Sequence, residues 1–288
     1  MTRVMILGST GMLGHKLVEV FESQVETIAV ARRPLPGGSA RDLVIDLQDF
    51  DAVSEAIHRL RPAAVVNAAG IVKQRRAPAP EMSRINAALP HHLATVCTLV
   101  GARLIHLSTD CVFSGRHGPY SEADIPDPVD EYGRTKLQGE ILSPNAMVLR
   151  TSMIGLEKRH FTGLIEWFLG QTGEVPGFTN AVFSGFSTIE LGRIILRACR
   201  GEWFRSGIWH VAAPPISKHD LLVRLARKLD RRDIRITPEE SVRCDRSLSG
   251  MRFEQATGFQ SPGWDGMLDG LAEEIRSRKS GNEVGHGL

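Results

Sequence analysis

Short runs of almost uniformly apolar residues, each followed by an amphipathic stretch, recur through the first 150 residues and constrain the fold more tightly than any other feature. The runs cover residues 4–7, 27–30, 43–45, 64–66, 104–107 and 147–149. Such a run lacks the polar alternation of a strand with one wet face, so it must be buried on both faces. Helical patterns at 12–21, 50–60, 81–99 and 131–142 lie between most of these runs. Strands alternating with helices predict an α/β fold built on a parallel, doubly wound sheet with right-handed crossovers. The rhythm weakens after Arg150. Glycine and proline punctuate 155–185, followed by a helix over 188–199, a strand over 208–211 and a helix over 217–229. The expected organisation is a first domain over 1–150 and a smaller α/β lobe over 151–275 interleaved with it. The polar stretch 276–288 is expected to be a disordered tail.

With 288 residues, 42% of them hydrophobic, the chain can bury a sizeable core. Its 35 basic and 33 acidic residues leave a net charge of +2, too balanced for a nucleic-acid-binding stripe. Cys97, Cys111, Cys199 and Cys244 are isolated and form neither a metal motif nor a disulfide pattern, which suits a reducing compartment. No apolar run reaches the ~18 residues of a membrane helix, and the chain opens on a strand and not on a leader. The expectation is a soluble cytoplasmic protein with no metal, no membrane and no nucleic acid partner.

Gly8-Ser9-Thr10-Gly11-Met12-Leu13-Gly14 joins the first strand to the first helix. In this position one glycine makes the tight turn and another lets the backbone approach a pyrophosphate. The third lets the helix pack close to the sheet, its N-terminal N–H groups facing the anion. The context makes this a dinucleotide site of Rossmann type. Where NAD-binding forms place an acid after the second strand, this chain has Arg32 and Arg33. A guanidinium there suits a 2′-phosphate, so NADP(H) is the expected cofactor and NAD(H) the other candidate. A solvated basic pair is the alternative. Asp46 and Leu47, ending the third strand, could contact adenine, although Asp46 could equally cap a helix.

Tyr132 and Lys136 stand at i and i+4, on one face of a helix. An ammonium beside a phenol lowers its pKa and can hold a ribose, so the pair can exchange a proton with a carbonyl or alcohol. Ser108 and Thr109 end the preceding strand, where hydroxyls face the ligand crevice and can also serve plain strand-end bonding.

Taken together, GSTGMLG, Asn67-Ala68-Ala69-Gly70, STDCVFSG and YGRTK resemble the extended short-chain dehydrogenase/reductases, and within them the dTDP-4-dehydrorhamnose reductase family. Arg150-Thr151-Ser152, GFTNAVFSG and Ser187-Thr188 extend the resemblance into the second half. The resemblance implies a catalytic triad of Thr109, Tyr132 and Lys136. It places Asn67, Ala68 and Ala69 beside the nicotinamide ribose and a sugar nucleotide in the C-terminal lobe. It implies reduction of a nucleotide-diphospho 4-keto-6-deoxysugar, in the biosynthesis of deoxysugars or surface polysaccharides. The loop Ile71-Val72-Lys73-Gln74 departs from the shorter polar turn of the rhamnose enzymes, leaving the sugar open and Lys73 a candidate contact.

Arg243 and Arg246 could neutralise a substrate pyrophosphate or be solvated. Trp167 could stack on a sugar or pack in the lobe. Asp110 and Cys111 adjoin Thr109 as further substrate candidates. Dehydratases that resemble this chain carry Asp and Glu after the catalytic Thr, and Cys111 replaces the second acid, which argues against dehydration. The rival readings are a nucleotide-sugar epimerase and a catalytically silent NADP-binding regulatory subunit. A homodimer is the expectation for assembly.

Overall fold

Seven parallel strands form the centre of the computed structural model: β1 (Arg3–Leu7), β2 (Glu26–Ala31), β3 (Leu43–Val44), β4 (Ala64–Asn67), β5 (Arg103–Leu107), β6 (Ala146–Arg150) and β7 (Gly207–His210). The structure describes residues 2–33, 42–75 and 77–284. The strands pair in the order β7-β6-β5-β4-β1-β2-β3. Strand order reverses at β1, which pairs with β2 on one side and β4 on the other: Val4 faces Thr27 and Ala64. Crossovers leave that point in opposite directions and open a crevice at the strands' C-terminal ends.

Side chains alternate between two apolar layers. Val4, Ile6, Val66, Ile105 and Leu149 enter one layer, Met5, Leu7, Val65, Leu104 and Val148 the other. Helices α1 (Met12–Phe21) and α5 (Thr188–Cys199) cover the first layer. Helices α2 (Phe50–Leu60) and α3 (Leu89–Val100) cover the second. Each fully buried aliphatic side chain contributes about 1.5–3 kcal/mol, so covering both faces is what makes this all-apolar sheet stable. The strand expected over 208–211 is β7 of this central sheet, and α5 packs on α1. The second half of the chain thus completes the first half's sheet.

Two helix expectations differ in detail. The helix expected over 81–99 begins at Ala79–Ser83 and widens into a π-helical turn, Arg84–Ala88, before α3. Pro90 has no N–H for the Asn86 carbonyl, which removes one α-helical bond there. Helix α4 (Glu131–Gln138) stops at Gly139 instead of reaching 142, and Gly139 packs so closely on the π-helical turn that a Cβ would lie 2.0 Å from the Asn86 carbonyl. The two irregularities fit into each other.

The expectation of a disordered tail from Arg276 is corrected. A C-terminal helix, Trp264–Val284, continues through it, and residues 285–288 lie outside the described part. Leu268, Leu271, Ala272 and Ile275 form its buried stripe, and Arg278 makes a two-point ion pair with Glu166 at 2.7 and 3.0 Å. The apolar stripe nucleates a helix that the polar residues then continue. Among the described residues no helix is long and apolar enough to cross a membrane.

The remaining strands form small sheets in the C-terminal half: Gly173–Phe178 with Ile234–Glu239, Met153–Ile154 with Phe186–Ser187, and Ala181–Phe183 between Ile216–Ser217 and Cys244–Asp245.

Candidate active site

The turn after β1 requires its glycines. Gly8 has φ +79°, and a Cβ there would stand 2.8 Å from the Ala69 backbone. A Cβ at Gly14 would stand 2.0 Å from the Gly8 carbonyl. Gly11 caps α1 without a side chain to accept the helix's first N–H groups, which leaves them for an anion. The turn borders a cleft of about 450 Å³ lined by Gly8, Thr10 and Gly11, by Arg32 and Arg33 after β2, by Asp46 and Leu47, and by Ala68, Ala69 and Gly70. Those predicted residues are brought together. The side chain of Leu13 is instead buried in the core and Met12 is half-buried, so their backbone is what faces an anion. Asn67 is fully buried, donating to His106 Nδ1 at 3.1 Å and accepting from the Ala69 amide at 3.3 Å, which shapes the chain at the end of β4. Arg75, Arg159 and His160 also line this cleft and carry no sequence motif. A turn closed to a Cβ at Gly8 and Gly14, free helix N–H groups and guanidiniums beyond β2 fit a dinucleotide.

The second cluster forms where α4 docks on the end of β5. Asp130 caps α4 by accepting from the Gly133 amide at 2.8 Å. Gly133 lies so close to the Cys111 carbonyl that a Cβ would stand 2.2 Å from it. This contact sets α4, and with it Tyr132, against the end of β5 beside Thr109. Thr109 accepts from the Cys111 amide and donates to Asp110, both at 3.1 Å. Lys136 is buried and donates to the Leu107 carbonyl at 2.5 Å.

Burial pushes the Lys136 ammonium down to about 8, opposed by Glu140. Burial also pushes the Tyr132 phenol upward, reinforced by Cys111 and opposed by Thr109. The expectation of a phenol acidified by the ammonium is therefore corrected, because desolvation prevails. The phenol is thereby held protonated until an oxygen as basic as an alkoxide takes its proton. Ser108 does not join this cluster, since it donates to Glu140 at 2.6 Å. Glu140 also holds Arg150 at 2.7 and 2.8 Å in a buried ion pair that the sequence did not signal.

Arg246 reaches the cluster from the second lobe, its Nη1 3.5 Å from the Cys111 sulfur and its Nε donating to the Phe113 carbonyl at 3.0 Å. Burial pushes the Asp110 carboxyl up, opposed chiefly by Arg246. It pushes the Cys111 thiol up to about 12, so that sulfur is a neutral group and not a base. Arg243 lines a second cleft of about 670 Å³ with Arg116 and Asn180. Lys73 is exposed, 3.8 Å from the Asp130 carboxylate. Trp167, on the short helix Leu164–Leu169, is 39% exposed and lines neither cleft, so the structure does not bring it to the site. Among the described residues no group of His, Cys, Asp or Glu could hold a metal ion.

Residues 1–275 match the family model for the RmlD substrate binding domain. The chain belongs to the RmlD substrate binding domain family. The resemblance carried by its motifs is thereby borne out. This RmlD-family chain is similar to methionine adenosyltransferase 2 subunit beta of Mus musculus, 36% identical over 163 residues that cover 53% of this chain and 47% of that protein. It is similar to dTDP-4-dehydrorhamnose reductase of Aggregatibacter actinomycetemcomitans, 27% identical over 249 residues and 78% of each chain. A crystal structure of a hypothetical dTDP-4-dehydrorhamnose reductase from Sulfolobus tokodaii superposes with a TM-score of 0.76 at 29% identity, covering 92% of this chain and 99% of that one. The chain spans about half the length of the first curated relatives it matches.

Proposed function

We propose that this chain is a reductase that uses a nicotinamide cofactor, NADPH in preference to NADH, to reduce a nucleotide-diphospho 4-keto-6-deoxysugar. What supports the reading is that Tyr132 and Lys136 share α4, which docks on the end of β5 beside Thr109, in a chain whose β1–α1 turn forms the glycine cradle. The cofactor would be held by the backbone of Gly8, Thr10, Gly11, Met12, Leu13 and Gly14, by Arg32 and Arg33 at the 2′-phosphate, by Asp46 and Leu47 at adenine, and by Asn67, Ala68, Ala69 and Gly70 nearer the nicotinamide. When bound, it supplies the hydride that the ketone carbon accepts.

The chain's own residues handle the oxygen. Thr109 turns its hydroxyl proton from Asp110 to the ketone oxygen as negative charge develops on that oxygen. Tyr132 passes its phenolic proton to the same oxygen and is left as a phenolate. Lys136, positive at neutral pH, stabilises that phenolate and holds the ribose. Arg246 and Arg243, with Lys73, supply positive charge for the substrate's diphosphate. The neutral Cys111 thiol has no acid–base part, which sets this site apart from a dehydratase. The cellular role is the biosynthesis of deoxysugars or polysaccharides in the cytoplasm, with a homodimer as the assembly.

Two alternatives are separable in one experiment. The protein is mixed with NADPH and a panel of nucleotide-linked 4-keto-6-deoxysugars, following the reduced-nicotinamide absorbance. One cofactor oxidised per sugar reduced supports the reductase. Isomerised sugar with the absorbance unchanged would favour an epimerase. The likeness to methionine adenosyltransferase 2 subunit beta favours a further reading, a noncatalytic cofactor-binding subunit. Cofactor binding with no turnover of any sugar is its signature.

A further inference from the structure

Residues 157–163 leave the chain just after β6 and return over the start of α1. There Arg159 and His160 line the same cleft as Gly8, Gly11 and Arg32. The loop is braced on three sides. Glu157 accepts from the amides of Thr162 at 2.6 Å and Gly163 at 3.3 Å. The Glu157 amide donates to Glu166 at 2.7 Å, and Glu166 is held by Arg278 of the C-terminal helix. Lys158 lies 3.8 Å from Glu19 of α1, and a Cβ at Gly163 would meet the tip of Met12 at 2.8 Å. His160 and Phe161 are held at φ +73° and +51°, the left-handed region, without being glycine. Strain of that kind persists where the surroundings over-determine it, and it collects at ligand clamps.

Among the described residues the half-buried Arg159 has no ion-pair or hydrogen-bond partner. The cleft it lines holds Arg32, Arg33, Arg75 and Arg159 against the carboxylates of Asp46 and Glu81. This surplus of guanidinium is aimed into a cavity bordered by free helix N–H groups. Resting on the reading of this cleft as a nicotinamide-dinucleotide site, we infer that Arg159 binds a phosphate of the cofactor, making loop 157–163 a clamp that ties the second half of the chain to the dinucleotide. The phosphate is either the 2′-phosphate or the pyrophosphate, since the loop passes both Arg32 and the α1 N-terminus.

The test is calorimetric titration of the full chain and of Arg159→Ala, Arg159→Lys and Arg32→Ala with NADPH, NADH, adenosine 2′,5′-bisphosphate and AMP, each variant checked by thermal melting. A lost charge-assisted contact weakens binding about 10- to 100-fold, and Arg159→Lys should recover part of it. Loss confined to NADPH and the bisphosphate assigns the 2′-phosphate. Equal loss for NADPH and NADH assigns the pyrophosphate. Unchanged affinities in folded Arg159→Ala, with NADPH binding weakened in Arg32→Ala, would overturn the clamp and leave the cofactor reading intact. A wild-type chain that binds neither cofactor would overturn both.

Discussion

In the proposed mechanism Tyr132 moves the proton and Lys136 stabilises the phenolate it leaves, and the two answer to different physics. Tyr132→Phe removes only the hydroxyl that moves the proton, so turnover should fall ~10²–10⁴-fold while NADPH affinity and melting temperature hold. Steady-state kinetics beside a thermal melt would check this, and wild-type turnover would remove Tyr132 from the mechanism. Lys136 is a buried cation whose pKa falls from 10.5 to about 8 on folding. Between those values the unfolded chain binds the extra proton, so at neutral pH the folded state bears the cost of a buried charge. Lys136→Met should therefore raise stability by about 1–2 kcal/mol, less what is lost at the Leu107 carbonyl, while abolishing turnover. A melting temperature below wild type would contradict that reading. The glycines and the Tyr/Lys pair were legible in the sequence because their spacing is itself the physical requirement. Arg75, Arg159 and Asp130 were not, because their work depends on where loops return in space.

At the scale of elements, the helix starts that could be read were those with a chemical reason to begin there. Asp49 caps α2 by accepting from Ala52, and Ser187 caps α5 by accepting from Glu190. The π-helical turn at Arg84–Ala88 was hidden because it is a tertiary fit. Asn86 there is buried, bonded to both the amide and the carbonyl of Ile71 and to Thr135 of α4. In the proposed function, the segment after β2 sets cofactor choice. Replacing Arg32 and Arg33 together by alanine should weaken NADPH far more than NADH, by roughly 1.5–3 kcal/mol for each guanidinium that meets the 2′-phosphate. Equal losses for the two cofactors in a binding titration would return these arginines to the solvated pair.

For the molecule as a whole, the alternation of apolar runs announced a parallel sheet, and it was correct because a strand buried on both faces tolerates little else. The tail was misread because its composition is polar, whereas its helix is held from outside by Glu166 and by Glu274 pairing with Lys16 of α1. Global stability should depend on pH through three histidines, His15, His106 and His210, each kept neutral mainly by burial. Their folded pKa values lie below the unfolded 6.5, so below that pH the unfolded chain takes up protons that the folded chain refuses. The melting temperature should fall as pH drops below about 6.5, and a flat profile from pH 7 to 5 would contradict this. The proposed passage of a hydride from a nicotinamide to a sugar ketone on this chain has one direct test. NADPH deuterated at the transferring position is incubated with the protein and a nucleotide-linked 4-keto-6-deoxysugar, and the product is weighed by mass spectrometry. One deuterium is expected on the reduced carbon, and the yield of labelled product should fall with turnover in Tyr132→Phe. Sugar recovered unlabelled, or altered without consuming the cofactor, would contradict it.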